Sequence, residues 1–310
     1  MLRNLWHTNR PLTATAVVML LAFVAFAVGI FVDPRLITGG PAWLKPAKFA
    51  ISTAIYSLTL AWVFSAIPSW RRTRALVGWT TAIVFTIEVA IIAMQAWRGT
   101  TSHFNVSTVL DGALFAVMGT AIVVQTAASV AVAVALWRER QFRDLAMGWA
   151  MRLGMTLTII GASTGGLMTR PTAAQLEQAR ATHVMTAVGA HTVGAPDGGP
   201  GLPGTGWSTG HGDLRVPHFV GLHALQILPL LIVVLHRRGW SESRRIRAAI
   251  ASGVAYAGLY ATLLVQALRA QPLLRPDAIT LAMLAVVVAI LVASWALARE
   301  RRPLTVAVAL

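Results

Sequence analysis

Apolar residues recur in eight windows along the chain, each bounded by charged, Gly-rich or Pro-rich stretches. They cover residues 12–32, 49–67, 75–97, 112–136, 145–168, 217–235, 248–268 and 278–298. Each is long enough to cross a hydrocarbon core, which takes roughly 20 apolar residues. Inside lipid every backbone polar group must be paired within its own segment, so the windows predict helices. The expected class is therefore all-α: a polytopic membrane bundle of about eight transmembrane helices, forming a single domain over residues 1–310. The first window follows Arg3 and Arg10 as a signal peptide would. Its apolar run is too long for a signal sequence and more spans follow, so it reads as an uncleaved anchor.

The polar segments alternate in character. One set is short and basic: Arg3 and Arg10, Arg71, Arg72 and Arg74, Arg138, Arg140 and Arg143, then Arg237, Arg238, Arg244, Arg245 and Arg247, and finally Arg299, Arg301 and Arg302. By the positive-inside rule this set is cytoplasmic, and so are both termini. The other set holds the unusual sequences, above all the extracytoplasmic loop between the fifth and sixth spans. Within it, residues 172–187 have helical composition, and residues 189–213 are rich in Gly and Pro. A loop of this length in a compact protein is usually functional. Residues 169–215 are thus expected to form a lid with a short helix over the outer mouth. The net charge of +15 would suggest nucleic acid in a soluble protein. Here the basic residues serve topology, so the expected partners are the bilayer and a hydrophobic small molecule, not nucleic acid. The absence of cysteine removes disulfide and thiolate-metal chemistry. Arginine so outnumbers lysine that a GC-rich bacterial source, and hence a bacterial inner membrane, is expected.

The polar residues inside the windows carry the chemistry. Glu88 lies mid-span, where a carboxyl is costly and by default functional; burial there is expected to keep it protonated at neutral pH. Gln95 is seven residues on and returns to nearly the same helix face. In the sixth span, Pro217 is expected as the first helical residue. His223 and Gln226 share a face there, at a depth matching Glu88. The third and sixth spans are therefore expected to face each other. Asp111, with His103 and Asn105 close in sequence, would form the outer wall of the same cavity. Arg152 is explained by snorkelling or a structural pair. Gly161, Gly165 and Gly166 have the small-residue spacing of close helix packing. Lys45, Lys48, Arg98 and Arg215, with the positive ends of four helices, make the outer mouth receptive to an anionic head group. Trp43, Trp97 and Trp207 cluster at the outer boundary, and with Phe104, Phe219 and Tyr56 some could line a pocket.

A tight metal site is not expected: His218 and His223 are five apart and point away from one another, although His103, His191 and His211 could join them from other segments. The size, span count, buried Glu88 and aromatic content resemble the bacterial integral-membrane terpene cyclases. The strings WLKPAKF, SHFN and GDLRVPHFVGLHALQ are also similar to stretches of uncharacterised bacterial multi-span membrane proteins. The cyclase resemblance implies intramembrane acid catalysis on a prenyl-type substrate, with no cofactor. It makes Glu88, Asp111 and His223 the catalytic candidates. Gln95, His103, Asn105, Arg98, Arg215, His218, Phe219, Gln226, Trp43, Trp97 and Trp207 are the candidates for contacting substrate. The rival expectations are a haem- or metal-dependent membrane oxidoreductase and a proton-coupled transporter.

Overall fold

The computed structural model describes residues 2–299, apart from the side chains of 297–299. Arg301 and Arg302, and the side chain of Arg299, expected in the basic set, lie outside the described residues. Eleven helices follow one another among those residues: α1 (Leu2–Thr8), α2 (Arg10–Val32), α3 (Leu44–Phe64), α4 (Arg71–Trp97), α5 (Val109–Arg138), α6 (Leu145–Met168), α7 (Ala173–Thr182), α8 (Arg215–Leu222), α9 (Ala224–Arg237), α10 (Glu242–Leu268) and α11 (Ala278–Arg299). Seven are long and apolar enough to cross a membrane, and α8 with α9, bent by 44°, makes an eighth span. The chain is an all-α helix bundle with the length and composition of a membrane protein.

Local chemistry sets the helix starts. The Asn9 side chain accepts from the Leu12 amide at the head of α2, and Thr108 and Asp144 cap α5 and α6 in the same way. α3 begins at Leu44, five residues before its apolar window, because Pro46 suits a first helical turn. α2 packs along the whole of α3 and is an integral member of the bundle.

Two apolar cores divide the molecule. The first joins α2 to α5 through Leu12, Leu60, Phe64, Ile67 and Leu136, with Met151 and Met155 reaching in from α6. The second joins α6, α9 and α10 through Ala150, Leu228, Ile232 and Ala248. α11 lies outside, against α10, with 6% of its apolar window buried. α6 and α8 cross backbone to backbone at Gly161 and Gly221, where a Cβ on Gly161 would come 2.5 Å from the Gly221 Cα. The packing expectation thus applies to Gly161. Gly165 faces His218, and a Cβ on Gly166 would meet open space.

The sixth span departs from expectation. Its helix begins at Arg215, so Pro217 is the third helical residue, and it breaks at His223. The Thr158 hydroxyl of α6 inserts at the break, donating to the Leu222 carbonyl and accepting from the Leu225 amide, both at 3.3 Å. Pro229 adds to the bend, since it cannot return a hydrogen bond to Leu225. Backbone groups freed inside a bundle need such partners.

One end of the bundle has short connections at 65–70, 139–144 and 238–241; the other carries the long loops 33–43, 98–108 and 169–214. In the longest loop, α7 is shorter than the expected 172–187. A capping box of Thr172 and Gln175 starts it, and His183 ends it by turning left-handed (φ 56°). Residues 184–188 then run extended beside loop 98–108: the Val106 amide donates to Thr186 O at 3.0 Å and the Val188 amide to Phe104 O at 2.8 Å. Two short strands, β3 (Thr192–Val193) and β4 (Gly212–Asp213), close the rest into a structured cover.

Candidate functional site

Thr81, Glu88 and Gln95 form a buried stripe on α4, spaced by seven residues. Glu88 is 3% exposed. Its Oε1 lies 3.7 Å from His103 Nε2, and its Oε2 has no hydrogen-bond partner among the described residues. An orphaned oxygen of this kind costs roughly 1–3 kcal/mol and calls for an explanation.

Loop geometry delivers His103 to Glu88. Gly99 (φ 74°) turns the chain after α4, and Phe104 adopts the left-handed region (φ 64°). That conformation costs a non-glycine residue roughly 1–2 kcal/mol and is over-determined here. The Phe104 carbonyl holds Val188, and its ring packs edge-on against Phe115 and His191. The His103 ring rests against Phe49 with centroids 5.6 Å apart, and its Nδ1 is 3.1 Å from Ser102 Oγ. Burial lowers the His103 pKa well below its ordinary value, and the nearby charges of Lys45, His191 and His218 lower it further, so the imidazole is neutral. In the tautomer in which Nδ1 accepts from Ser102, Nε2–H faces Glu88.

The cover contributes a second histidine. His191 Nδ1 is 2.7 Å from Asp197 Oδ2, and the same carboxylate accepts the backbone amides of His191 and Thr192. Asp197 pairing opposes the effect of burial, yet His191 stays below its ordinary pKa, burial being the larger cause. His218 Nδ1 meets the Gly161 carbonyl at 2.8 Å. Lys45 sits over the Phe49 ring, 5.9 Å from its centroid. Lys48 donates to Thr205 O at 3.0 Å, and Arg215 to Gly206 O at 2.6 Å while pairing with Asp213.

Several expected site residues sit elsewhere. Gln95 turns away from Glu88 and donates to Asp111 at 2.8 Å; Arg98 pairs with the same carboxylate at 2.6 Å and with Gln95. Ser107 and Thr108 also bond Asp111, which is therefore a saturated structural anion and not a free acid. Asn105 staples its own loop through Thr100, Thr101 and Ser107. Trp43 stacks on Phe26 and donates to Asp33, locking α2 to α3, and Trp97 is 67% exposed on the bundle surface. The third and sixth spans do not face each other: α4 packs on α2, α3 and α5, whereas α8 and α9 pack on α6 and α10. His223 is accordingly spent on the helix break, with Nδ1 2.7 Å from Phe219 O and its ring against Phe219. Gln226, in the amide orientation that satisfies it, donates to the Leu222 and His223 carbonyls. Trp207 and Phe219 pack on each other at the rim. Arg152 caps α5, donating to Leu136 O and Glu139 O.

Sequence reasoning missed the His191–Asp197 pair, because Asp197 sits in a Gly-rich stretch that looks like spacer. It also passed over a plain signal for the mouth cations. Of the 26 Lys and Arg residues only Lys45 and Lys48 are lysines, and they share one turn of α3.

Below Glu88 the interior stays polar for about two turns. Tyr56 bonds Ser129 at 3.2 Å, beside Gln125, while Ser57 Oγ, Thr81 Oγ1 and Gln125 Oε1 lack partners. The polar residues then stop at a floor of fully buried Leu60, Phe64, Ile67 and Leu136. Among the described residues, no three His, Asp or Glu side chains are grouped to hold a metal ion. No protein family, curated protein or solved structure matches the chain.

Proposed function

We propose that this protein is an intramembrane acid–base enzyme that cyclises or isomerises a hydrophobic, prenyl-type substrate. The observation that carries the reading is Glu88: a buried carboxyl with one oxygen beside His103 and the other unclaimed by the protein. His103 Nε2–H polarises Oε1, and the Oε2 hydroxyl is the acid. It gives its proton to an alkene carbon, forming a C–H bond and a carbocation; loss of a proton from a neighbouring carbon then restores an alkene. The proton taken up equals the proton released, so substrate and product are isomers and no redox partner is needed. His191, held by Asp197, is the base, since a neutral imidazole fixed through Nδ1 offers Nε2 as acceptor. The rings of Phe49, Phe104 and Phe115 shield the cation from water. We place the long-loop end on the extracytoplasmic side, because the arginines gather at the other.

A one-sided polar interior favours this reading over transport. Alternating access needs a polar path to both faces, and the path from Glu88 ends at the Leu60–Phe64 floor. The test is conversion of prenylated substrates by the purified chain and by Glu88→Gln. Wild-type rates in Glu88→Gln would end the assignment.

A further inference from the structure

Charge accounting at the lidded mouth goes one step further, on the premise that the chamber around Glu88 is the reaction site. Each acidic side chain at this rim has its own partner: Asp33 with Arg35, Asp111 with Arg98, Asp197 with His191 and Asp213 with Arg215. Lys45 and Lys48 are left over. Among the described residues no carboxylate lies within 4 Å of either ammonium, the closest approach to a salt bridge that would count as one. Lysine is otherwise absent from the chain, so these two cations are not part of the general basic surface.

What satisfies Lys48 is weak. It donates to the neutral Thr205 carbonyl, and Arg215 donates to the adjacent Gly206 carbonyl. Two cations from the bundle thus hold one turn of the cover through uncharged acceptors. A charged oxygen forms hydrogen bonds roughly twice as strong as a neutral one, so an anion at this point displaces both carbonyls. Lys45 extends the cationic patch inward along the same helix face, from the rim to the Phe49 and His103 rings. The buried, unpartnered Glu88 Oε2 lies on the far side of those rings, and the space between is walled by aromatic groups.

We propose that Lys45, Lys48 and Arg215 bind a phosphate or diphosphate monoester head group, and that the substrate is an anionic amphiphile whose apolar tail reaches Glu88. Head-group binding releases the turn at Thr205 and Gly206, which opens the cover, and cancels the positive field beside Glu88. The chemistry fits lysine well: compact point charges suit a phosphate that must also leave.

The experiment is a calorimetric titration of the full-length chain in dodecyl maltoside, with dodecyl phosphate and inorganic diphosphate as separate probes. We expect saturable one-to-one binding of dodecyl phosphate, weakened at least tenfold in Lys45→Gln/Lys48→Gln and kept within threefold in Lys45→Arg/Lys48→Arg. Stronger binding of dodecyl phosphate than of diphosphate assigns an amphiphile; equal binding overturns the amphiphile and leaves a free-anion site. Binding that is absent, or unchanged in the double Gln variant while the Arg variant shows the protein folded, overturns the proposal. Glu88→Gln should bind dodecyl phosphate like wild type, so loss of the acid and loss of the head-group site are separately visible.

Discussion

At the short-loop end of the bundle, charged groups are consumed by structure. Arg245 of α10 pairs with Asp144 at the head of α6, Glu139 accepts from Ser69, and Arg152 caps α5 while stacking on Phe142. Beneath them lies a dry core of Leu60, Phe64, Ile67 and Leu136. At the long-loop end, Asp111 is saturated in the same manner, but Glu88, Lys45 and Lys48 are not. Both ends have the composition to pair every charge, so the leftover groups mark where the fold leaves work for a ligand. An unsatisfied buried group costs free energy, and such costs concentrate where function needs them.

Four changes would break or sharpen this contrast. The largest effect is expected from Glu88→Gln, which preserves shape and removes the acid. Turnover should fall by roughly 10²–10⁴, with a thermal midpoint near wild type; a rate loss that only tracks unfolding would make Glu88 structural. Asp111→Asn should behave in the opposite sense. Removing one partner of a buried ion pair costs roughly 3–5 kcal/mol, reduced here because Arg98 is partly exposed. We expect a clear loss in chemical denaturation with turnover per folded molecule retained.

Gly161→Ala comes next. A methyl group pressed on the Gly221 backbone should cost about 1–3 kcal/mol by overpacking; a neutral result in thermal unfolding would mean that α6 and α8 can slide apart. The smallest effect concerns His103, whose pKa is lowered from 6.5 by burial. Below about 6.5 the unfolded chain binds a proton that the folded chain refuses, so stability is full above that value and is lost as pH falls toward the depressed folded pKa. His103→Asn should flatten the decline in thermal midpoint between pH 7 and 5. Parallel curves for variant and wild type would place the titration elsewhere.

The helices and the importance of Glu88 were legible because both follow from solvent. Long apolar windows and a lone mid-span carboxyl are features of composition along one segment. Gln95 was legible as a stripe neighbour of Glu88, yet its amide points to Asp111, since rotamer and partner are set by α5. His223 matched Glu88 in depth, and depth says nothing of which helices touch. Asp197 gave no signal, because its value lies in meeting His191 across a turn.

The sequence by itself determined the all-α class, the eight apolar windows, the segregation of arginine from the long loops and the burial of a carboxyl, all properties of single segments in a low-dielectric solvent. Only the tertiary structure decided that α4 meets α5 and not α9, that Asp111 is satisfied while Glu88 is not, and that the two lysines face a mouth without carboxylates. Those outcomes depend on which side chains become neighbours. Helix packing fixes that through the close Gly161–Gly221 crossing and the left-handed turn at Phe104, at positions far apart in the chain.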